Sequence, residues 1–339
     1  MAILITIIGF GIMIFVHELG HFIAAKRFGV LVHEFAIGMG PKIFSFGKGE
    51  TKYSLRLFPI GGFVKLEGEN ELEENDNPRS FSNLKPLKRI IILVAGAFMN
   101  VLLGFLIFTF INIKVGITPS IVREIPEELA SQQVNFQVGD EIIKLNDSRI
   151  HSYDDVSLFM SRYEADSLDI TLKRNGETIE LDDAKLIKTE AGYKLGVVFQ
   201  PEKGSFLKCA EFAVYDTLYI SKAVIFALTD LFKGKQSINS LSGPVEIVST
   251  VNQVTAVKSD YTYLSILMLF AMITVNLGIF NLLPFPALDG GSIIFALYEL
   301  ITRKKVKSEI VGYAGLIGFA LLMLLAIYVT AGDIFDLIK

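Results

Sequence analysis

Four long apolar runs without a charged side chain constrain this chain more than any other feature. They cover residues 1–16, 90–113, 261–288 and 310–332. The last three are long enough for a helix to cross a bilayer, which takes about 20 residues. The first is long enough only if its helix continues to about Ala25. With 51% hydrophobic residues, the chain is predicted to be a polytopic membrane protein.

The first run leads into the pentapeptide HELGH at residues 17–21. Residues four apart share a helix face, so His17 and His21 can both bind one metal ion while Glu18 lies beside its open position. Ionisable side chains at membrane depth are costly and normally face a protein interior or a wet cavity. The motif therefore predicts a hydrolytic zinc site at membrane depth.

A catalytic zinc needs a third protein ligand, and Asp289 at the end of the third run is the candidate. Lys and Arg mark the cytoplasmic side, and the resulting topology puts Asp289 at the depth of His17. Pro284 and Pro286 cannot continue a regular helix, and broken helix at this depth requires surrounding protein or water. The alternative is an interfacial helix end capped by Asp289. The basic clusters lie at residues 26–27, 85–89 and 303–307.

Between the first two runs, the sequence predicts a β-hairpin. Residues 51–58 alternate imperfectly, and Gly61-Gly62 then turns the chain into residues 63–66. Residues 67–78 carry six acidic side chains and are interpreted as a solvated loop.

The segment 115–260 is predicted to lie outside the cytoplasm, together with both termini. It begins with short strands, a helix around residues 153–163 and the turn Arg174-Asn175-Gly176-Glu177, which predict a small α+β domain. Residues 205–231 show helical apolar spacing interrupted by charges, which favours an interfacial amphipathic helix over a fifth span.

Net charge and cysteine content argue against other kinds of protein and site. A net charge of −4 with no strongly basic segment argues against nucleic-acid binding. Cys209 is the only cysteine, so no intramolecular disulfide forms, and a buried position is expected. No basic residue precedes the first run, so a cleaved signal peptide is not expected. His33 is interpreted as a loop residue and His151 as a surface residue.

The combination of HExxH in the first span with Asn-x-x-Pro-x-Pro-x-Leu-Asp-Gly at residues 281–290 resembles the site-2 protease family of intramembrane zinc metalloproteases. The resemblance is to the bacterial branch typified by the regulator of sigma-E protease. Further shared features are GGFVK at 61–65, the stretch 95–100, Gly139-Asp140 of a PDZ-like domain, and LSGPV at 241–245.

The predicted fold therefore has four transmembrane helices, a β-hairpin and one inserted extracytoplasmic α+β domain. The resemblance implies that the hairpin is membrane-associated and that the domain is PDZ-like. The corresponding division is a membrane core at 1–114, the PDZ-like domain at 115–200, an amphipathic linker at 201–260 and a second membrane core at 261–339. Relatives often carry two PDZ domains, whereas this chain has room for one.

The resemblance also implies roles for individual residues. Zinc would be bound by His17, His21 and Asp289, with Glu18 as the catalytic base. Asn281 would help to hold the substrate or the developing oxyanion, and Pro284 and Pro286 would belong to the same substrate-binding region. A β-loop that receives the substrate as an added strand would include Gly61, Gly62 and Phe63.

The implied biology is regulated intramembrane proteolysis in the bacterial cytoplasmic membrane, with the active site toward the cytoplasmic half. Substrates would be single-span membrane proteins such as anti-sigma factors, or remnant signal peptides. Two alternatives remain open. A metal-ion transporter could use the same His, Glu and Asp cluster, and an inactive PDZ scaffold could be anchored by the same helices.

Overall fold

A computed structural model describes residues 1–47, 49–69, 77–127, 136–190, 192–236, 243–257 and 259–338. Two sequence features therefore fall partly outside the described residues, namely 70–76 of the acidic loop and 241–242 of the LSGPV stretch. The chain forms two compact units. The membrane unit comprises Met1–Gly104 and Val224–Lys339, and the sheet unit comprises Phe105–Ala223.

The helices and strands, in chain order, are the following. The helices are α1 (Ala2–Arg27), α2 (Pro86–Val115), α3 (Tyr153–Met160), α4 (Phe206–Phe232), α5 (Pro244–Ala256), α6 (Thr262–Asn281), α7 (Asp289–Thr302) and α8 (Ser308–Ile338). The strands are β1 (Val32–Phe46), β2 (Lys52–Leu66), β3 (Glu141–Leu145), β4 (Ser148–Arg149), β5 (Ser167–Arg174), β6 (Glu177–Lys185), β7 (Ile187–Thr189) and β8 (Gly192–Lys194).

Within the described residues, five helices are long and apolar enough to cross a membrane: α1, α2, α4, α6 and α8. A membrane protein was predicted, and the helices are consistent with one. The additional candidate is α4, which matches the helix predicted at residues 205–231. Its assignment to the membrane surface, and with it the count of four spans, stays a prediction.

Helix α1 runs unbroken through the HELGH motif and ends just beyond it. Gly29 takes a left-handed conformation with φ of +81°, and Val30 N–H bonds to Ala25 O at 3.0 Å. This is the Schellman arrangement that terminates many helices, and glycine accepts its backbone angle without strain. Lys26 and Arg27 in the last turn also favour the negative end of the helix dipole. The first apolar run thus becomes a helix long enough to span.

The predicted hairpin between residues 51–58 and 63–66 is wrong. Both segments belong to β2, and they flank β1 instead of pairing with each other: Glu34 pairs with Lys52 on one side and with Lys65 on the other. Gly61-Gly62 is a bend within β2. Strand pairing depends on contacts between distant residues more than on local alternation, so the alternation of residues 51–58 did not reveal β1 as the central strand.

The interpretation of His33 as a loop residue is also wrong, since it lies in β1, where its Nε2 bonds to Glu67. The end of α1, both strands and the start of α2 share one apolar core. That core contains Ala25, Val30, Val32, Phe35, Val64, Leu66, Phe81, Ile92 and Leu93.

The sheet unit contains a four-stranded antiparallel sheet in the order β4-β3-β5-β6. Asn175 and Gly176 both have positive φ, as a tight hairpin turn between β5 and β6 requires. Cys209 is 1% exposed, as predicted, and His151 is exposed and stacks on Tyr215. The sheet and α3 enclose a core of Ile142, Leu145, Ile150, Val156, Leu168, Ile170, Ala184 and Leu195.

Candidate metal centre

Helix α1 places two imidazoles side by side in its last third. His17 and His21 are four residues apart, and their Nε2 atoms lie 3.1 Å from each other. The two rings meet edge to face, with centroids 4.7 Å apart. His17 is only 8% exposed, so the pair faces the protein interior. The predicted sharing of one helix face is therefore present.

Asp289 is brought to this pair by a sharp break in the third apolar run. Helix α6 ends at Asn281 and α7 begins at Asp289, with Pro284 and Pro286 between them. The break is tight: a Cβ on Gly290 would lie 2.0 Å from the carbonyl oxygen of Leu283. Only glycine fits there, which explains the Asp-Gly sequence at the start of α7.

The three side chains form a compact donor set. Asp289 Oδ2 lies 3.2 Å from His17 Nε2 and 3.3 Å from His21 Nε2. Zinc bonds of 2.0–2.1 Å in tetrahedral geometry put neighbouring donor atoms about 3.3 Å apart. The observed triangle fits that edge length. Asp289 Oδ2 is also buried without a hydrogen bond among the described residues, and a cation bound between the three donors would satisfy it.

Helix α2 supports both histidines from one face. His21 Nδ1 lies 2.9 Å from the carbonyl oxygen of Ile92, to which it can donate. A Cβ on Gly96 would lie 2.3 Å from His21 Nε2 and 2.8 Å from His17 Cε1. A hydrogen bond from Nδ1–H fixes the tautomer that leaves Nε2 free for a metal. Gly96 provides the space that the two rings occupy.

Asn100 supports His17 from the same helix. It is fully buried, and its Nδ2 lies 3.4 Å from His17 Nδ1, while its Oδ1 has no hydrogen bond among the described residues. A half-turn of the amide exchanges these two atoms. His17 Nδ1–H would then donate to Oδ1, satisfying the amide oxygen and leaving His17 Nε2 free for a metal.

Glu18 lies beside the donor set and next to β2. A Cβ on Gly62 would lie 3.6 Å from Glu18 Cγ, so the bend at Gly61-Gly62 brings the strand to the side chain. Phe63 follows the bend and has the guanidinium of Arg56 over its ring, 4.8 Å from the centroid. The structure thus brings Gly62 together with Glu18.

The other predicted substrate residues lie around the break. Asn281 is the last residue of α6, and Pro284 and Pro286 follow it. Among the described hydrogen bonds, none joins the Asn281 side chain to the donor set. Nearby on α6, Asn276 Oδ1 is buried and makes no hydrogen bond in the described part of the chain.

Sequence reasoning missed the part played by α2. Ile92 contributes only a backbone oxygen, which no sequence pattern can reveal. Gly96 and Asn100 entered only as part of a shared stretch. A glycine and an asparagine four residues apart within an apolar helix do indicate a close, polar contact on one face, and that signal was available.

Comparison with known proteins identifies the family. The chain matches peptidase family M50 over residues 5–325. A relative from Clostridium acetobutylicum, provisionally named a zinc metalloprotease, is 37% identical over 336 residues, covering 98% of this chain and 97% of the relative. Another from Campylobacter jejuni, also provisionally named so, is 33% identical over 347 residues, covering 98% and 92%. Zinc metalloprotease RasP of Geobacillus kaustophilus is 30% identical over 414 residues, covering 98% and 97%.

These likenesses confirm the predicted family, enzyme class and zinc cofactor, and they do not favour the metal-ion transporter. The roles of individual residues stay predictions. The chain belongs to peptidase family M50, the site-2 protease family, and is a membrane zinc metalloprotease.

Proposed function

We propose that this metalloprotease cleaves the transmembrane segments of single-span membrane proteins. In this proposal His17, His21 and Asp289 hold zinc, and Glu18 is the catalytic acid and base. The observation that carries the proposal is the triangle of donor atoms, 3.1 to 3.3 Å on a side. Two of its three members belong to a helix long and apolar enough to span a bilayer.

The chemistry follows from the donor set and its neighbour. When bound, zinc would activate a water and polarise the scissile carbonyl. Glu18 adjoins both histidines on α1, so its carboxylate can take the proton of the attacking water and deliver it to the leaving amine. Because the donor set is largely buried, bulk water has limited access to it.

Substrate binding is proposed to use the outer edge of β2. The segment 61–66 pairs with β1 on one side, as in Val64 with Phe35, and no strand of the described residues pairs with its other side. A transmembrane helix must be extended before its peptide bonds can be cut, and an open strand edge replaces the lost hydrogen bonds. Gly61, Gly62 and Phe63 would lie along the extended substrate beside Glu18, with Asn281, Pro284 and Pro286 on the opposite side.

The proposed topology has four spans, formed by α1, α2, α6 and α8, with α4 at the membrane surface. The basic clusters support a topology in which the active site lies toward the cytoplasmic half of a bacterial cytoplasmic membrane, with the PDZ-like domain and both termini on the other side. The proposed domain boundaries are 1–114, 115–200, 201–260 and 261–339. Charged residues that would keep α4 at the surface are Lys208, Glu211, Asp216, Lys222 and Asp230.

The proposed physiological role is regulated intramembrane proteolysis. Single-span regulators such as anti-sigma factors, or remnant signal peptides, would be the substrates. The PDZ-like domain would bind a peptide terminus by strand addition or admit only substrates already trimmed outside the membrane.

The test is cleavage of a tagged single-span substrate by purified protein in proteoliposomes. The variant E18Q keeps the side-chain size but cannot act as a base, so cleavage should fall by about 10²–10⁴-fold while bound zinc is retained. E309Q, the same change at an exposed position of α8, is the matched control. Mass spectrometry should place the cut within the apolar segment. Undiminished cleavage by E18Q, or a cut confined to the flanks, would overturn the proposal.

A further inference from the structure

An ion pair joins α2 to α7, the helix that begins with Asp289. Arg89 Nη2 donates to Glu299 Oε2, and the two side chains are only 12% and 9% exposed. The other carboxylate oxygen of Glu299 accepts the backbone N–H of Val306 at 3.1 Å. Both partners are therefore withdrawn from solvent, where such a pair requires a specific partner to be tolerated.

Each charge lies at the unfavourable end of its own helix. Arg89 is in the first turn of α2, where the helix dipole is positive, and Glu299 is in the last turn of α7, where it is negative. Neither residue stabilises the helix that carries it. The contact between the two helices compensates for this placement of the two charges.

Arg89 belongs to the same face of α2 that supports the histidines. Arg89, Ile92, Gly96 and Asn100 are separated by three, four and four residues, and such positions align along one helix face. Ile92 O accepts from His21, Gly96 makes room for both rings, and Asn100 reaches His17. The first turn of this face holds α7 through Glu299.

Helix α7 needs an anchor of this kind because nothing regular connects it to α6. Residues 282–288 contain two prolines, and Ala287 has a φ of +79°. Asp289 therefore depends on the orientation of α7. Glu299 lies ten residues further on, about 15 Å along the helix at 1.5 Å per residue. Holding that end limits how α7 can tilt at its first residue.

We propose that Arg89 is a positioning residue of the metal centre. Through Glu299 it fixes α7 against α2, and so keeps Asp289 within bonding distance of the metal that His17 and His21 bind. The same face of α2 then positions all three ligands. The inference rests on the zinc-binding roles proposed above.

The experiment measures zinc affinity by competition with a chromophoric chelator, using purified protein in detergent. R89A and E299A should each weaken zinc binding by about 10–100-fold, the usual effect of removing an outer-shell partner. The visible absorption of the cobalt-substituted protein should change in both, because the geometry of the third ligand changes. The double variant R89E/E299R restores the pair, with each charge now at the favourable end of its helix, and should recover both readouts.

The matched control is R174A. Arg174 pairs with Asp140, a fully buried carboxylate of the sheet unit, so this variant also removes an arginine from a buried pair. It should lower the unfolding temperature and leave zinc affinity and the cobalt spectrum unchanged. If R89A or E299A does not fold, R89K and E299Q keep a hydrogen bond and should give smaller shifts in the same direction.

Two results would contradict the inference. Wild-type zinc affinity in R89A and E299A, with unfolding temperature alone reduced, would make the pair an ordinary stabilising contact. Failure of R89E/E299R to recover affinity in folded protein would also overturn it. If the wild type itself binds no zinc, the proposed function fails first. If the wild type binds zinc and is active, and R89A and E299A bind zinc with the same affinity, only the positioning role is overturned.

Discussion

Two aspartates withdrawn from solvent, one in each unit, have opposite surroundings. Asp140 in the sheet unit accepts hydrogen bonds of 2.7 Å from Arg174 Nε, 2.7 Å from Arg174 Nη2 and 2.8 Å from Gln137 N–H. Asp289 has a buried oxygen without a hydrogen bond in the described residues, facing two imidazole nitrogens that can themselves bind a metal. A carboxylate satisfied by its own protein is expected to be structural, whereas one left open between such donors is predicted to bind a metal.

The largest expected difference comes from the matched variants D289A and D140A. Removing one of the three proposed ligands from a zinc site with a binding free energy of about 12 kcal/mol should weaken zinc binding on the order of a thousandfold. Without zinc, D289A should unfold near the wild-type temperature, because few protein contacts are lost. Chelator competition and thermal unfolding measure the two effects.

D140A should show the reverse pattern. It removes the acceptor of three hydrogen bonds, two from Arg174 and one from Gln137 N–H, which should lower stability by about 3 kcal/mol, while zinc affinity stays at the wild-type value. If D140A weakened zinc binding as much as D289A, the distinction between a structural and a ligand carboxylate would not hold.

The next effect concerns the space at Gly96. In G96A the new methyl group would lie 2.3 Å from His21 Nε2, so the ring must move out of the orientation that its hydrogen bond to Ile92 O holds, and loss of such support costs up to about 100-fold in metal affinity. We expect zinc affinity to fall by about that factor. G315A is the control, because a Cβ there meets nothing within 4 Å. Equal zinc affinity in both variants would show that the rings adjust freely.

A smaller loss is expected for Asn100, which holds one imidazole. N100A should reduce zinc affinity by about tenfold, at the lower end for an outer-shell partner. Asn112 on the same helix lies in the sheet unit and donates to Asp216 at 2.8 Å. N112A should leave zinc affinity unchanged in the same chelator assay, and a matching loss would point to a general effect of α2.

The smallest effect tests a carboxylate of the membrane unit that its own protein satisfies. Partial burial would raise the pKa of Glu34, but Ser54, Lys42 and Arg56 outweigh it and lower the pKa to about 2. Because the folded-state pKa is depressed, the ionised form stabilises the fold above pH 4.5, and this stabilisation is lost as the pH falls toward 2. E34Q should be less stable by about 2 kcal/mol at pH 7.

Thermal unfolding of wild type and E34Q between pH 7 and pH 2 measures this difference in stability. The difference should be constant above pH 5 and disappear at lower pH, and zinc affinity at pH 7 should be the same in both proteins. A difference independent of pH would mean that Glu34 acts through packing and not through its charge.

Local physics made much of the membrane unit predictable. Each long uncharged run formed a helix over most of its length, since backbone polar groups in lipid must be satisfied within the segment. The relation of His17 to His21 follows from helix periodicity alone. Pro284 and Pro286 indicated the break before Asp289, and the shared depth of Asp289 and His17 followed from the basic clusters.

Contacts between distant segments were not predictable in the same way. The two segments of the expected hairpin pair with β1 and not with each other, because alternation within a segment does not determine which strand it pairs with. Ile92 supports His21 through a backbone oxygen, which leaves no trace in residue type. Arg89 was visible only as one of several basic residues before the second run.

The helices, the enzyme family and the candidate ligands could be predicted from the sequence, because these depend on composition, periodicity and short motifs. The folded chain was needed to show that Asp289 lies 3.2 Å from His17, that one face of α2 supports both histidines, and that Arg89 meets Glu299 across 210 residues of chain. Such pairings are set by how helices pack together, and the free energy of that packing belongs to pairs of segments and not to either one alone.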